Sequence, residues 1–119
     1  MDRKQSGKDA EKAAERFLNQ QGLRTILRNA YCRMGEIDIV MQDQDTIVFV
    51  EVRKRKNSRY GGAAQSVDYR KQRKLIQAAR YLMIRHPQWD NQPCRFDVIA
   101  FDDEPGGKPP AWFRDAFRP

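Results

Sequence analysis

Three carboxylates sit inside two apolar runs of this chain: Glu36 and Asp38 in Gly35-Glu36-Ile37-Asp38-Ile39-Val40-Met41, and Glu51 in Thr46-Ile47-Val48-Phe49-Val50-Glu51-Val52-Arg53. A carboxylate in a β-branched run is costly to bury unless a cation or a hydrogen-bond network receives it. Both runs alternate, and the polar Gln42-Asp43-Gln44-Asp45 between them suits a hairpin connection. With an even loop, Val40 pairs with Ile47, Asp38 with Phe49 and Glu36 with Glu51, so Glu36, Asp38, Glu51 and Arg53 share one face. Asp38 and Glu51 are then diagonal neighbours that repel unless a cation lies between them, and such oxygen donors suit Mg²⁺ or Mn²⁺. The residues leave a second arrangement open, in which these acids pair with Arg and Lys side chains; an odd loop would put Asp38 on the opposite face.

The flanking segments must position this hairpin. Ala10, Ala13, Ala14, Phe17 and Leu18 recur at helical spacing within 7–21, and Gly22 supplies a stop. That spacing sets Glu11 at the edge of the apolar stripe. Leu23 to Asn29 reads as a first strand. A second helix is expected from Ser66, as N-cap, to Pro87, burying Leu75, Ile76, Ala79, Leu82 and Met83. Lys71 and Gln72 lie one turn before that stripe on the same side and face the hairpin, while Arg70, Arg73, Lys74 and Arg80 spread outward. Arg95 to Phe101 makes a fourth strand, in which Asp97 reads as a structural partner for a nearby Arg. Beyond a turn-forming stretch, Trp112, Phe113, Ala116 and Phe117 read as a short amphipathic segment closing over the core.

Composition narrows the partners. The chain has 119 residues and a net charge of +7, enough for one domain over 1–119 with a core of about 7–101 and a tail of 102–119. Between Arg53 and Lys74 stand Arg53, Lys54, Arg55, Lys56, Arg59, Arg70, Lys71, Arg73 and Lys74 against one acid, Asp68. Gly61-Gly62 within this run would let a ligand approach the backbone closely, and Tyr60 would either stack on a base or cover the core. The charge points to nucleic acid, with phosphate contacts from Arg55, Lys56, Arg59, Arg70, Lys71, Gln72 and Lys74. Cys32 and Cys94 lie in no metal-binding spacing, and a single His86 before Pro87 leaves little for a triad. No run approaches a membrane span of roughly 20 apolar residues, and the first residues lack the apolar core of a signal peptide, so a cytoplasmic protein is expected.

In order, the elements are helix, three strands with Asp and Glu-x-Arg on consecutive strands, basic helix, strand. This αβββαβ arrangement resembles the PD-(D/E)xK nuclease superfamily, and more closely the YraN-type family of small bacterial predicted endonucleases. The resemblance rests on Gly7, Glu11, Ala14, Phe17-Leu18, Gly22, Ile26-Leu27 and Asn29; on Gly35-Glu36-Ile37-Asp38-Ile39-Val40; on Val48-Phe49-Val50-Glu51-Val52-Arg53 and Arg55; and on Lys71-Gln72, Leu75, Ala78-Ala79, Tyr81-Leu82 and Arg95-Phe96-Asp97-Val98-Ile99. It implies an α/β, restriction-endonuclease-like core, a central mixed sheet flanked by helices. It also implies that Asp38 and Glu51 are metal-binding carboxylates, with Glu11 completing the site.

Where the family's usual lysine stands, this chain has Arg53. Lysine there would orient or deprotonate the attacking water; arginine stays protonated and serves instead to hold the scissile phosphate and stabilise developing charge. Lys54, next in sequence, points to the other face of the sheet. The resulting expectation is a Mg²⁺- or Mn²⁺-dependent endonuclease with Asp38, Glu51 and Arg53 at its centre, acting on DNA rather than RNA, with branched or repair intermediates among its candidate substrates and a homodimer as its candidate assembly. The other expectation is a non-catalytic DNA- or RNA-binding module that keeps the fold.

Overall fold

Apolar side chains on both faces of the central strands dictate a sheet covered twice. A computed structural model describes residues 3–55, 67–102 and 109–119, with side chains described for 7–54, 67–101 and 109–119. Lys56, Arg59, Tyr60, Gly61-Gly62 and Ser66 lie outside the described residues, as does the side chain of Arg55. The order is α1 (Arg3–Gln20), β1 (Arg24–Cys32), β2 (Gly35–Asp43), β3 (Thr46–Arg55), α2 (Tyr69–Arg85), β4 (Cys94–Asp102) and β5 (Ala111–Phe117), with one 3₁₀ turn at Pro87–Trp89. Among the described residues, no helix is long and apolar enough to cross a membrane.

The five strands lie in sequence order. β3 and β4 are parallel and every other neighbouring pair is antiparallel. The parallel pair needs a crossover, and α2 lies within it. α2 lays Leu75, Ala78, Ala79 and Leu82 on Val40, Ile47, Phe49, Phe96 and Val98. Against the other face, α1 sets Ala14 and Leu18 on Ile39, Met41, Val48, Val50 and Ile99. At roughly 1.5–3 kcal/mol per fully buried large aliphatic side chain, these two layers hold the sheet from both sides.

Local chemistry sets the ends of the helices. α1 stops where Gly22 takes φ +100 and Leu23 N–H donates to the Leu18 carbonyl, a left-handed closure that suits glycine. The N-cap of α2 is Asp68, whose carboxylate accepts from Lys71 N–H at 2.8 Å.

Two expectations are corrected. β1 runs on to Cys32, because the tight Arg33-Met34 turn, followed by Gly35 at φ +150, lets it pair with β2 to the end. The C-terminal segment is the edge strand β5, not a loose amphipathic closure. A register irregularity between Phe96 and Val98, with Asp115 at φ +51, inserts two extra residues into β5. This bulge gives Phe113, Ala116 and Phe117 a spacing that imitates a helix. Asp97 is the structural acid expected of it. Fully buried, it accepts from Arg95 Nε at 3.0 Å, Trp112 Nε1 at 2.9 Å and the Asp115 N–H at 2.9 Å.

Candidate metal and nucleic-acid site

The β2–β3 hairpin turns at Gln44-Asp45, with Gln44 at φ +55, so Val40 pairs with Phe49 and Ile39 with Val50. The loop is even, as expected, but sits one residue later in the chain, which shifts the pairing by two. Pairing between these strands then stops at Ile39↔Val50. β2 continues against β1 to Gly35↔Cys32, and β3 continues against β4 to Arg55↔Asp102. The sheet therefore opens into a fork.

Asp38 stands at the crotch of that fork. Its Oδ2 accepts the Val52 N–H at 2.8 Å, so a side-chain carboxylate takes the place of the next ladder partner. The alternation of β2 breaks at the same point: Ile39 packs on the α1 side and Ile37 on the α2 side, although they are two residues apart. This corrects the expectation of four polar residues on one face. Glu51 and Arg53 keep the α2 side, whereas Glu36 lies directly across from Tyr31 and shares an amide partner with Glu11 on α1.

Continuing the register by one step sets Asp38 against Glu51, and the two carboxyls hydrogen-bond. Burial, then this hydrogen bond and the charge of Glu51, push the Asp38 carboxyl up to about 8 against the pull of the Val52 N–H. Glu51 is 5 % exposed. Its Oε2 lies 3.6 Å from Lys71 Nζ and 3.9 Å from Arg53 Nη1. Lys71 thus faces the hairpin as its helical position requires.

Glu11 enters from the other side. Asn29 Nδ2 donates to Glu11 Oε1 at 2.7 Å and to Glu36 Oε1 at 2.9 Å. Burial raises the Glu11 carboxyl, the Asn29 hydrogen bond opposes this, and the charges of Asp38 and Glu36 raise it further. Glu11 and Asp38 both line a cavity of about 120 Å³, together with Lys8, Asn29 and Ile39, room for a few waters. Among the described residues no group of three or more His, Cys, Asp or Glu side chains forms a metal cage. The structure brings Asp38 and Glu51 together as a pair and sets Glu11 across the cavity from Asp38.

The donor chemistry fits a hard divalent ion. Two carboxyls converge where burial and mutual repulsion raise that of Asp38, and Mg²⁺ commonly takes one or two carboxylates and keeps several waters. Of the other expected contacts, Arg70 and Lys74 are exposed on α2. Gln72 is half-buried, and its Nε2 donates to the Val67 carbonyl at 2.9 Å. Two further site residues carry no role in the sequence expectations: Asn29, which stands there only among the residues of the resemblance, and Lys8. The available signal was Asn29 itself, a polar residue able to take its φ of +50 and placed between two acids that need a donor.

Residues 10–101 match the family described as "Uncharacterised protein family UPF0102". A UPF0102 protein of Pseudomonas syringae pv. syringae is 53% identical over 116 residues, 97% of this chain and 94% of the relative. One from Alcanivorax borkumensis is 48% identical over 116 residues, 97% of this chain and 93% of the relative. One from Xanthomonas oryzae pv. oryzae is 49% identical over 118 residues, 98% of this chain and 93% of the relative. Matched along nearly its whole length, and carrying the YraN-type residues at the fork of its sheet, the chain belongs to the uncharacterised protein family UPF0102.

Proposed function

We propose that this protein is a divalent-metal-dependent endonuclease that hydrolyses phosphodiester bonds in DNA. The observation that carries the reading is the pairing of Asp38 with Glu51 at the fork, with Lys71 3.6 Å from Glu51. Asp38 and Glu51 would hold Mg²⁺ or Mn²⁺, and Glu11, which lines the same cavity as Asp38, would complete the site. When bound, such an ion lowers the pKa of a coordinated water and neutralises charge on the phosphate. Arg53 holds the scissile phosphate and stabilises charge that develops on it. Lys71 contributes the ammonium that position 53 lacks, and unlike a guanidinium it can give up a proton. The exposed Arg70 and Lys74 contact flanking phosphates, with Arg55, Lys56 and Arg59 extending the same basic run.

Incubation of the purified protein with linear, flapped and four-way DNA in Mg²⁺ or Mn²⁺ tests this. Cleavage that EDTA abolishes and that Asp38→Ala and Glu51→Ala each reduce by orders of magnitude is expected; an uncut panel with either metal sinks the enzyme reading. A second reading, a binding module without turnover, is favoured by the always-charged Arg53 at 3.9 Å from Glu51. Salt-sensitive DNA binding that ignores both EDTA and the alanine changes would select it.

A further inference from the structure

The cavity that Glu11 and Asp38 line does not end at the site. An open cleft of about 510 Å³ between α1 and β1 shares Lys12, Glu15 and Arg28 with it, so the two form one groove that leads from Asp38 along α1 to Gln20. One wall of this groove is a column of cations. Lys8, Lys12 and Arg16 recur every four residues on α1 and are all exposed, so they stack along one side of the helix at about 6 Å per step, about 12 Å in all. Like charges at that spacing repel, and the two acids of α1 that line the groove are engaged by β1. Glu15 accepts from Arg28 Nε at 2.9 Å and from Thr25 Oγ1 at 2.5 Å, a clamp that fixes the two walls to each other. Glu11 accepts from Asn29 at 2.7 Å at the end where Asp38 stands, and the charge of Lys8 reaches it there.

A row of exposed cations along a clamped groove is complementary to a chain of anions, and the groove begins at the acid pair. Among the described residues no aromatic side chain lines either part of it, so it offers bases nothing to stack on and suits the sugar–phosphate backbone alone. We infer that the α1–β1 groove is a second backbone track, in which Lys8, Lys12 and Arg16 hold phosphates of the DNA strand that continues from the phosphate at the fork. This rests on the nuclease reading above for what lies at the fork, and adds the path of the strand beyond it. The contacts are to phosphates, so they position DNA without reading its sequence. Arg70 and Lys74 lie on α2, which covers the opposite face of the sheet. With the α1 column, the backbone is held from both faces.

Binding of the full chain to a labelled DNA duplex, measured by fluorescence anisotropy in EDTA over a series of salt concentrations, separates this inference from cleavage. Each phosphate contact adds about 0.9 to the slope of log affinity against log salt. Lys8→Gln, Lys12→Gln and Arg16→Gln should each make the slope shallower by about 0.9, which is about 8-fold in affinity at about 0.1 M salt, and the triple variant by about 2.7. Arg80→Gln removes the same charge from an exposed position on α2 that lines neither part of the groove, and should change the slope by less than about 0.3. Lys12→Arg should bind as the wild type does. These side chains are exposed, so unchanged circular dichroism is expected of every variant. An equal effect from Arg80→Gln reduces the column to net charge and overturns the inference, as does a triple variant that keeps the wild-type slope. A protein that shows the expected slopes in EDTA yet cuts nothing with metal refutes the nuclease reading and leaves the track standing; one that cuts DNA but whose binding ignores the triple change refutes the track alone.

Discussion

Replacing Asp38 by Asn in the metal-free protein probes the fork through stability alone. The folded carboxyl titrates at about 8, against about 3.9 in an unfolded chain. Between those values the native state holds a proton that the unfolded state has released, so stability falls as pH rises. The contribution is fully present below about pH 4 and is lost as pH rises through about 8. One proton gives at most about 1.4 kcal/mol per pH unit, about 4 kcal/mol from pH 5 to 8. Asp38 is half-buried beside a cavity with room for a few waters, and screening there brings the expected loss to about 2 kcal/mol. For a chain of this size that is about 8 °C in Tm. The Asp38→Asn variant keeps an oxygen for the Val52 N–H and offers an amide to Glu51, without a titrating proton.

Urea and thermal unfolding in EDTA at several pH values give the two curves. Wild type should decline towards pH 8, the variant should stay flatter, and the variant should be the more stable of the two at pH 8. Glu15 and Asp115, whose carboxyls ion pairs with Arg28 and Arg118 hold below their ordinary values, lose their contributions only as pH falls, outside this window. Glu11 shifts in the same direction as Asp38, so the readout is the difference between wild type and variant. Parallel curves would refute the shared-proton account of the pair. Because metal must displace that proton, Mn²⁺ affinity in the wild type should rise by up to about 10-fold per pH unit below pH 8.

Asp97→Ala takes the fully buried acceptor away from the Arg95, Trp112 and Asp115 donors; a loss of about 3–5 kcal/mol in urea unfolding is expected, and a loss below about 1 kcal/mol would contradict the network. Lys71→Met should lower single-turnover cleavage about 100-fold with stability nearly unchanged, and Lys71→Arg should fail to restore it if proton transfer is the lysine's part; restoration by arginine would reduce its role to charge. Gly22→Ala meets no neighbouring atoms but inherits φ +100, so a cost of about 1–2 kcal/mol from backbone strain is expected, read as a lower Tm.

The parts of this fold legible in the sequence are those governed by local periodicity. The α1 stripe from Ala10 to Leu18 and the Gly22 stop follow from helical spacing alone. The acids of β2 and β3 stand out by interrupting apolar alternation. The register does not, because Gln42 to Asp45 offers several two-residue turns and only the left-handed Gln44 selects one. β5 is hidden by its bulge at Asp115, which disguises strand alternation as helical spacing. At the site, Lys71 is readable from its helix face, but Asn29 is not, because its role is a bridge between Glu11 and Glu36 that exists only once α1, β1 and β2 have met.

The fork also explains why an acid costly to bury belongs at position 38. An unbroken β2–β3 ladder would satisfy the Val52 N–H with main chain and leave Asp38 as a carboxylate pressed against Glu51 with no compensating donor. By parting there, the strands give Asp38 a donor at 2.8 Å and open the adjoining cavity to water and to Glu11. The acid pair and the cavity beside it therefore share one structural cause. A substitution that restores the ladder, such as Asp38→Val, should stabilise the apo protein at pH 8 while abolishing the response to Mn²⁺. If instead that change unfolds the protein, the carboxylate is needed to build the fork as well as to equip it.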